Sequence, residues 1–248
     1  MSIDAPEQLE GLRRAGRLVA ETLARLERAV APGVTTAQLD ALAAESFAAA
    51  GAHSGPIITY GYPGSICISL DDEIVHGVPG PRALREGQLV TLDVAAELGG
   101  YHADAAITVA VGEVSPQACN LVDAAELALA AGIGAARPGA TLRDIGGAIE
   151  RTVTAHGYTV FPALTGHGIG RAMHEEPTVY NWPARSATLP LEVGLVFTIE
   201  PMIGAGSPAL RELDDGWTIA TADGSLSAHA EHTVVIGPRG AEVLTARS

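Results

Sequence analysis

The strongest constraint on this chain is a loose internal repeat. Pro32, Gly33, Thr35, Leu39 and Gly51 return as Pro138, Gly139, Thr141, Ile145 and Gly157, all at an offset of 106. The runs EGQLVTLDV (86–94) and VGLVFTIEP (193–201) match at 107, aligning Thr91 with Thr198 and Asp93 with Glu200. YHADAAITVAVG and AHAEHTVVIG then pair Asp104 with Glu231. A period this long is no solenoid. It predicts two copies of a helix–helix–strand unit about a pseudo-twofold axis in a single α+β domain over residues 1–248, with repeats at about 4–112 and 115–248.

Local punctuation supports these units. Asp4-Ala5-Pro6-Glu7 resembles a helix cap, and Leu9, Leu12, Gly16, Val19, Leu23, Leu26 and Val30 then recur on one helical face. Thr35 with Gln38 predicts a capping box for a second helix, closed by Gly51. Much of the region 57–111 favours strands, with Gly99-Gly100 as a hairpin turn. Ser115-Pro116 opens a helix to about Arg137, and Pro138-Gly139-Ala140-Thr141 leads into another that ends at Gly157.

The length of 248 residues suffices for one sizeable core. A 47% hydrophobic content excludes a disordered chain, and the apolar runs read as broken before membrane-spanning length. MSIDAPEQLEG carries no apolar export segment, and two cysteines, Cys67 and Cys119, suit a reducing compartment, so a cytoplasmic protein is expected. A formal charge of −14 repels phosphate and no basic stripe is visible, so neither nucleic acid nor membrane is an expected partner. No apolar helix face is left over, which predicts a monomer.

Asp93 and Glu200 end the apolar runs 89–92 and 195–199, which predict buried strands. A buried carboxylate needs a cation. None of the 15 Lys and Arg falls in LDVAAELGGYHAD, FTIEP or HAEHT. Asp104 lies across the predicted hairpin from Asp93, so the two can share a face. Two carboxylates from each half would crowd four anions around the axis, a conflict that paired divalent ions relieve. In TGHGIGRAMHEEP (165–177), His167 is the natural nitrogen ligand, because flanking glycines let the backbone approach closely. Singly, each of these residues is an ordinary polar side chain; the set argues for a dimetal site.

Together with these stretches, EIVHGVP (73–79), GHGIGRAMHEEP (166–177), DDGWTI (214–219) and SAHAEHTVVI (227–236) resemble the type I methionine aminopeptidases over nearly the whole chain. That family has the pita-bread fold of the creatinase/aminopeptidase class, an α+β architecture of two pseudo-twofold halves around a curved antiparallel sheet. The resemblance implies Asp93, Asp104, His167, Glu200 and Glu231 as ligands of two divalent ions, Co, Mn, Fe or Zn, with Asp104 and Glu231 bridging. It implies removal of N-terminal methionine from nascent proteins and short peptides, by attack of a metal-bridging water or hydroxide on the first peptide carbonyl. Glu200 would shuttle protons, His174 would stabilise the oxyanion, and His76 would contact the scissile amide. Tyr62, Cys67, Met173 and Trp217 would form the side-chain pocket. Three positions depart from the family pattern: Met173 stands where phenylalanine is common, Thr59 where tyrosine is, and Gly64 where lysine is. They leave the pocket's shape open. Transient contact with the ribosome is an option the resemblance carries, and the physiological metal is not fixed by it.

His102 and His229 fall two residues before Asp104 and Glu231 and read first as echoes of the repeat, with contact to the acids as the alternative. His53 and His156 read as solvated and His232 as packing. One rival reading is an Xaa-Pro-cleaving peptidase of the same fold, which usually carries an extra N-terminal domain; a first repeat starting near residue 4 leaves no room for one. Another is a non-catalytic binding module, in which ligand positions are characteristically lost, whereas all five are filled here. No Gly-x-Ser-x-Gly elbow supports nucleophilic catalysis.

Overall fold

The structure is a computed structural model that describes residues 2–247. Among the described residues, helices α1 (Pro6–Ala29), α2 (Thr36–Ala50), α3 (Gly55–Tyr60), α4 (Pro116–Ala135) and α5 (Leu142–Ala155) are interspersed with antiparallel strands, α1–α2 and α4–α5 forming consecutive pairs. The matched positions fall at equivalent places. Thr35 and Thr141 each head a capping box, and each bridges an isolated strand residue, Ala83 and Pro190. Gly33 and Gly139 turn the chain at φ 90° and 84°, in the left-handed region that favours glycine.

Two expectations fail locally. Helix α1 is capped by Ala5 without a side-chain hydrogen bond, and the Asp4 amide donates instead to Gln8 Oε1 at 2.7 Å. Pro6 sets the first helical residue, which puts Asp4 one position too early to cap. Residues 57–60, within the region expected to favour strands, lie in α3, because Ser54 accepts from the Ile57 amide and Pro56 sits in the first turn. That start signal outweighs the β-preference of Ile57-Ile58.

The first sheet centres on the hairpin Leu89–Leu98/Tyr101–Ala110, with Cys67–Leu70 along its other edge. Gly99 and Gly100 close it at φ 61° and 83°, the conformation a two-residue hairpin turn of this kind requires. The second sheet runs in the order Gly240–Val243, His232–Gly237, Val196–Ile199, Thr165–Gly168, Glu175–Tyr180. Two three-stranded sheets complete the β-structure, so hydrogen bonding divides it into four sheets. Helices α1 and α2 cover the first sheet through Leu12, Val19, Leu23, Leu39 and Phe47; α4 and α5 cover the second through Leu121, Leu129, Ile145, Ile149 and Val153. Contrary to the sequence reading, α4 is long and apolar enough to cross a membrane by length and composition. Here Leu121, Ala124, Ala128 and Leu129 of α4 are buried in the core against the second sheet.

The halves meet along a seam of threonine hydroxyls. Thr233 Oγ1 accepts from the Asp104 amide at 2.9 Å and donates to the Asp104 carbonyl at 2.7 Å. Thr108 Oγ1 ties the amide and carbonyl of His229 in the same way, at 2.9 Å each. Between them the Glu231 amide donates to Ala106 O at 2.9 Å. This register brings Asp104 and Glu231, one from each half, to the same point.

Candidate metal centre

Asp93 and Asp104 stand on one face of the first hairpin, since Asp93 pairs with Ala106 and Asp104 lies two residues before Ala106. Glu200 follows the strand Val196–Ile199 and Glu231 precedes His232–Gly237, and both are buried. His167 arrives on Thr165–Gly168. Its Nδ1 lies 3.0 Å from the Gly168 carbonyl, while its Nε2 lies 3.5 Å from Glu200 Oε1. Donor atoms of Asp104, His167 and Glu231 all lie within 4.8 Å of one another, as do those of Glu200, His229 and Glu231. The glycines beside His167 have a packing reason as well. A Cβ at Gly168 would overlap the Glu176 carbonyl, and one at Gly166 would press on Thr198 O.

The electrostatics of this cluster require positive charge. Burial pushes Glu200 up to about 8, with Asp93 adding to the rise and the Thr198 hydroxyl, 2.6 Å from Oε1, opposing it. Burial also raises Asp93 to about 6, against a hydrogen bond with Asp104. Asp104 and Glu231 go well above the ordinary carboxylate range, through burial first and then through the neighbouring acids. Asp104 Oδ1 and Glu231 Oε1 have no hydrogen-bond partner. Among the described residues no arginine pairs with any of the four; Glu200 and Glu231 have histidine neighbours, His167 and His229. Burial holds His167 and His229 neutral, at about 3, with His174 and His76 respectively adding to the effect. Hard carboxylate oxygens beside neutral imidazoles form a donor set for divalent first-row cations, so the residues present fit a metal.

A pH effect follows. A carboxyl with a raised folded pKa stabilises the fold fully only below its unfolded value, and that contribution is lost as pH climbs through the raised one. The buried imidazoles act oppositely, but only below 6.5, their ordinary value. Between pH 6.5 and 8 the acids act alone, and Glu200, at about 8, accounts for a loss of about 2 kcal/mol. Metal-free protein is expected to melt about 4–8 °C lower at pH 8 than at pH 6.5, and a saturating divalent cation should flatten the slope. A metal-free melting temperature that rises over this interval contradicts the electrostatics.

A cavity of about 420 Å³ opens over the cluster. All the residues expected to touch substrate line it: His76, His174, Tyr62, Cys67, Met173 and Trp217. His76 is held at φ 60°, a strained conformation for a residue with a Cβ, and Gly77 beyond it is fixed by Tyr62 and Ser69. Tyr62 meets Trp217 edge-on at 5.1 Å, so both rings are fixed in the wall. Thr59 is not part of that wall. Tyr60 is, and its hydroxyl lies 2.8 Å from His174 Nδ1. At Gly64 a Cβ would meet Pro79 at 2.7 Å, which accounts for the missing side chain.

Sequence reasoning under-read several residues. Thr198 was matched to Thr91 in the repeat but given no role, and Tyr60 and Asn181, which donates to the Glu200 carbonyl at 3.0 Å, left no signal beyond their type. His229 faces the cluster instead of merely echoing the repeat, whereas His102, its counterpart, joins no such donor group among the described residues. His232 does pack away from the site, with Nδ1 2.9 Å from Thr245 Oγ1. His53 and His156 are exposed.

Comparison with known proteins agrees with this geometry. The model of metallopeptidase family M24 matches residues 10–238. A methionine aminopeptidase of Clostridium perfringens is 42% identical over 238 residues, covering 96% of each chain. The crystal structure of methionine aminopeptidase from Rickettsia prowazekii superposes with a TM-score of 0.96 at 38% identity, covering 99% of this chain and 100% of that one. A Xaa-Pro dipeptidase from Bacillus anthracis shares the fold with a TM-score of 0.80 at 22% identity, and this chain covers 62% of it. The fold is the pita-bread fold of these structures.

Proposed function

The chain belongs to metallopeptidase family M24, and from that membership we propose that it removes the N-terminal methionine of proteins and peptides in a metal-dependent reaction. The observation that carries the reading is the cluster of four carboxylates, raised by burial and unmatched by arginine, at the floor of a cavity. Asp93, Asp104, His167, Glu200 and Glu231 would hold two ions from the Mn, Fe, Co and Zn group. Such ions, when bound, polarise a carbonyl oxygen and make water acidic enough to attack at neutral pH.

The chain's own residues carry the rest. Glu200, beside the position the attacking water would take, accepts that water's proton and passes it to the departing amine. His174, held by Tyr60, donates to the oxygen on which charge develops. His76 meets the scissile amide. Tyr62, Cys67, Met173 and Trp217 enclose the first side chain, and Met173 lets the wall adapt more readily than a ring would. The protein acts as a monomer in the cytoplasm on nascent chains, in transient contact with the ribosome. The family reading supports that setting.

The deciding experiment compares Met-Ala-Ser with a Xaa-Pro dipeptide, before and after chelation. Free methionine from the tripeptide, lost on chelation and restored by Mn, Fe or Co, is expected. Preference for the Xaa-Pro substrate overturns the assignment.

A further inference from the structure

Beside the five expected ligands and the two histidines given a catalytic role, a further imidazole lines the cavity, that of His229. His229 is 2% exposed, and neither Nδ1 nor Nε2 has a hydrogen-bond partner. A buried polar group left without a partner is destabilising, so a partner that offsets that loss is implied. The backbone cannot swing the ring elsewhere, because Thr108 holds both the amide and the carbonyl of His229. Nε2 lies 3.7 Å from Glu231 Oε2. That is too long for a hydrogen bond but close to the spacing of two donors on one ion with bonds of about 2.1 Å. His167 stands to Glu200 in nearly the same way, at 3.5 Å. The donor groups Asp104–His167–Glu231 and Glu200–His229–Glu231 thus share Glu231, and each contains one imidazole.

We propose that His229 is a further ligand of the centre, giving it a second imidazole on the side of Glu200 and Glu231. This rests on the dimetal reading above. A second nitrogen donor shifts the site's preference toward cobalt and zinc and away from magnesium and manganese, which favour oxygen. It also breaks the symmetry of the halves, since His102 supplies no matching donor.

X-ray absorption at the cobalt edge of the full chain loaded with cobalt(II) tests this without any variant. Two imidazole nitrogens per pair of cobalt ions are expected; one overturns the proposal. Calorimetric titration of His229→Gln with cobalt(II) should show one of the two ions bound about 10–100-fold more weakly than in the unaltered chain. An unchanged isotherm in the folded variant also overturns it. If the unaltered chain takes up no cobalt, the dimetal reading fails and this inference with it, whereas two ions with a single imidazole defeat the inference alone.

Discussion

Replacing Glu231 by alanine is expected to lower methionine release from Met-Ala-Ser by about a thousandfold or more and to leave at most one bound ion per chain. Glu231 belongs to both donor groups of the cluster, so its loss strips a ligand from each position at once. A thousandfold decrease corresponds to about 4 kcal/mol of lost transition-state stabilisation, a scale consistent with disabling both Lewis-acid positions. The fold should survive. Without metal, Glu231 is one of four acids raised by burial, and Asp104, Glu200 and Asp93 raise it further. The metal-free variant should therefore melt no lower than the metal-free parent at pH 8. Elemental analysis, steady-state kinetics and calorimetry together check the result. Near-full turnover with two ions retained would show that Glu231 does not bridge.

Gly168→Ala should damage the molecule from the opposite direction, through packing. The added methyl would enter the space of the Glu176 carbonyl, on the strand paired with Thr165–Gly168. Backbone cannot yield as a flexible side chain does, so the strands must part, at about 3 kcal/mol. The melting temperature should drop by about 6–12 °C. His167, one residue back, would lose its position, and cobalt uptake should weaken in parallel. Gly134→Ala is the control, because a Cβ there meets nothing within 4 Å on a helix. Alanine suits a helix better than glycine by about 1 kcal/mol, so this variant should melt slightly higher. Equal melting temperatures for the two variants would remove the packing argument.

The parts of the fold that were legible in sequence are those fixed by local chemistry. Thr35 with Gln38, the glycine pair at the hairpin and the Ser115-Pro116 helix start were readable because each signal acts within about four residues. The centre was legible for a different reason: buried carboxylates without nearby arginine leave few physical solutions. Ser54-Gly55-Pro56 carried a readable helix start that the β-branched residues after it masked. His229 could not be separated from His102, since both stand two residues before an acid on a strand. Only the contact between halves turns one toward the acids of both repeats and leaves the other outside that group. The same limit hid Tyr60, whose partner is 114 residues away.

The hydroxyl bridges at Thr108 and Thr233 tie assembly of the molecule to occupancy of its centre. The acids nearest the axis hang from opposite banks of that join, so a cation reaching both is a fastener as well as a reagent. Whatever binds there favours the docked state of the whole chain by mass action. Scarcity of the cation thus becomes a risk to folding before it becomes a shortage of activity.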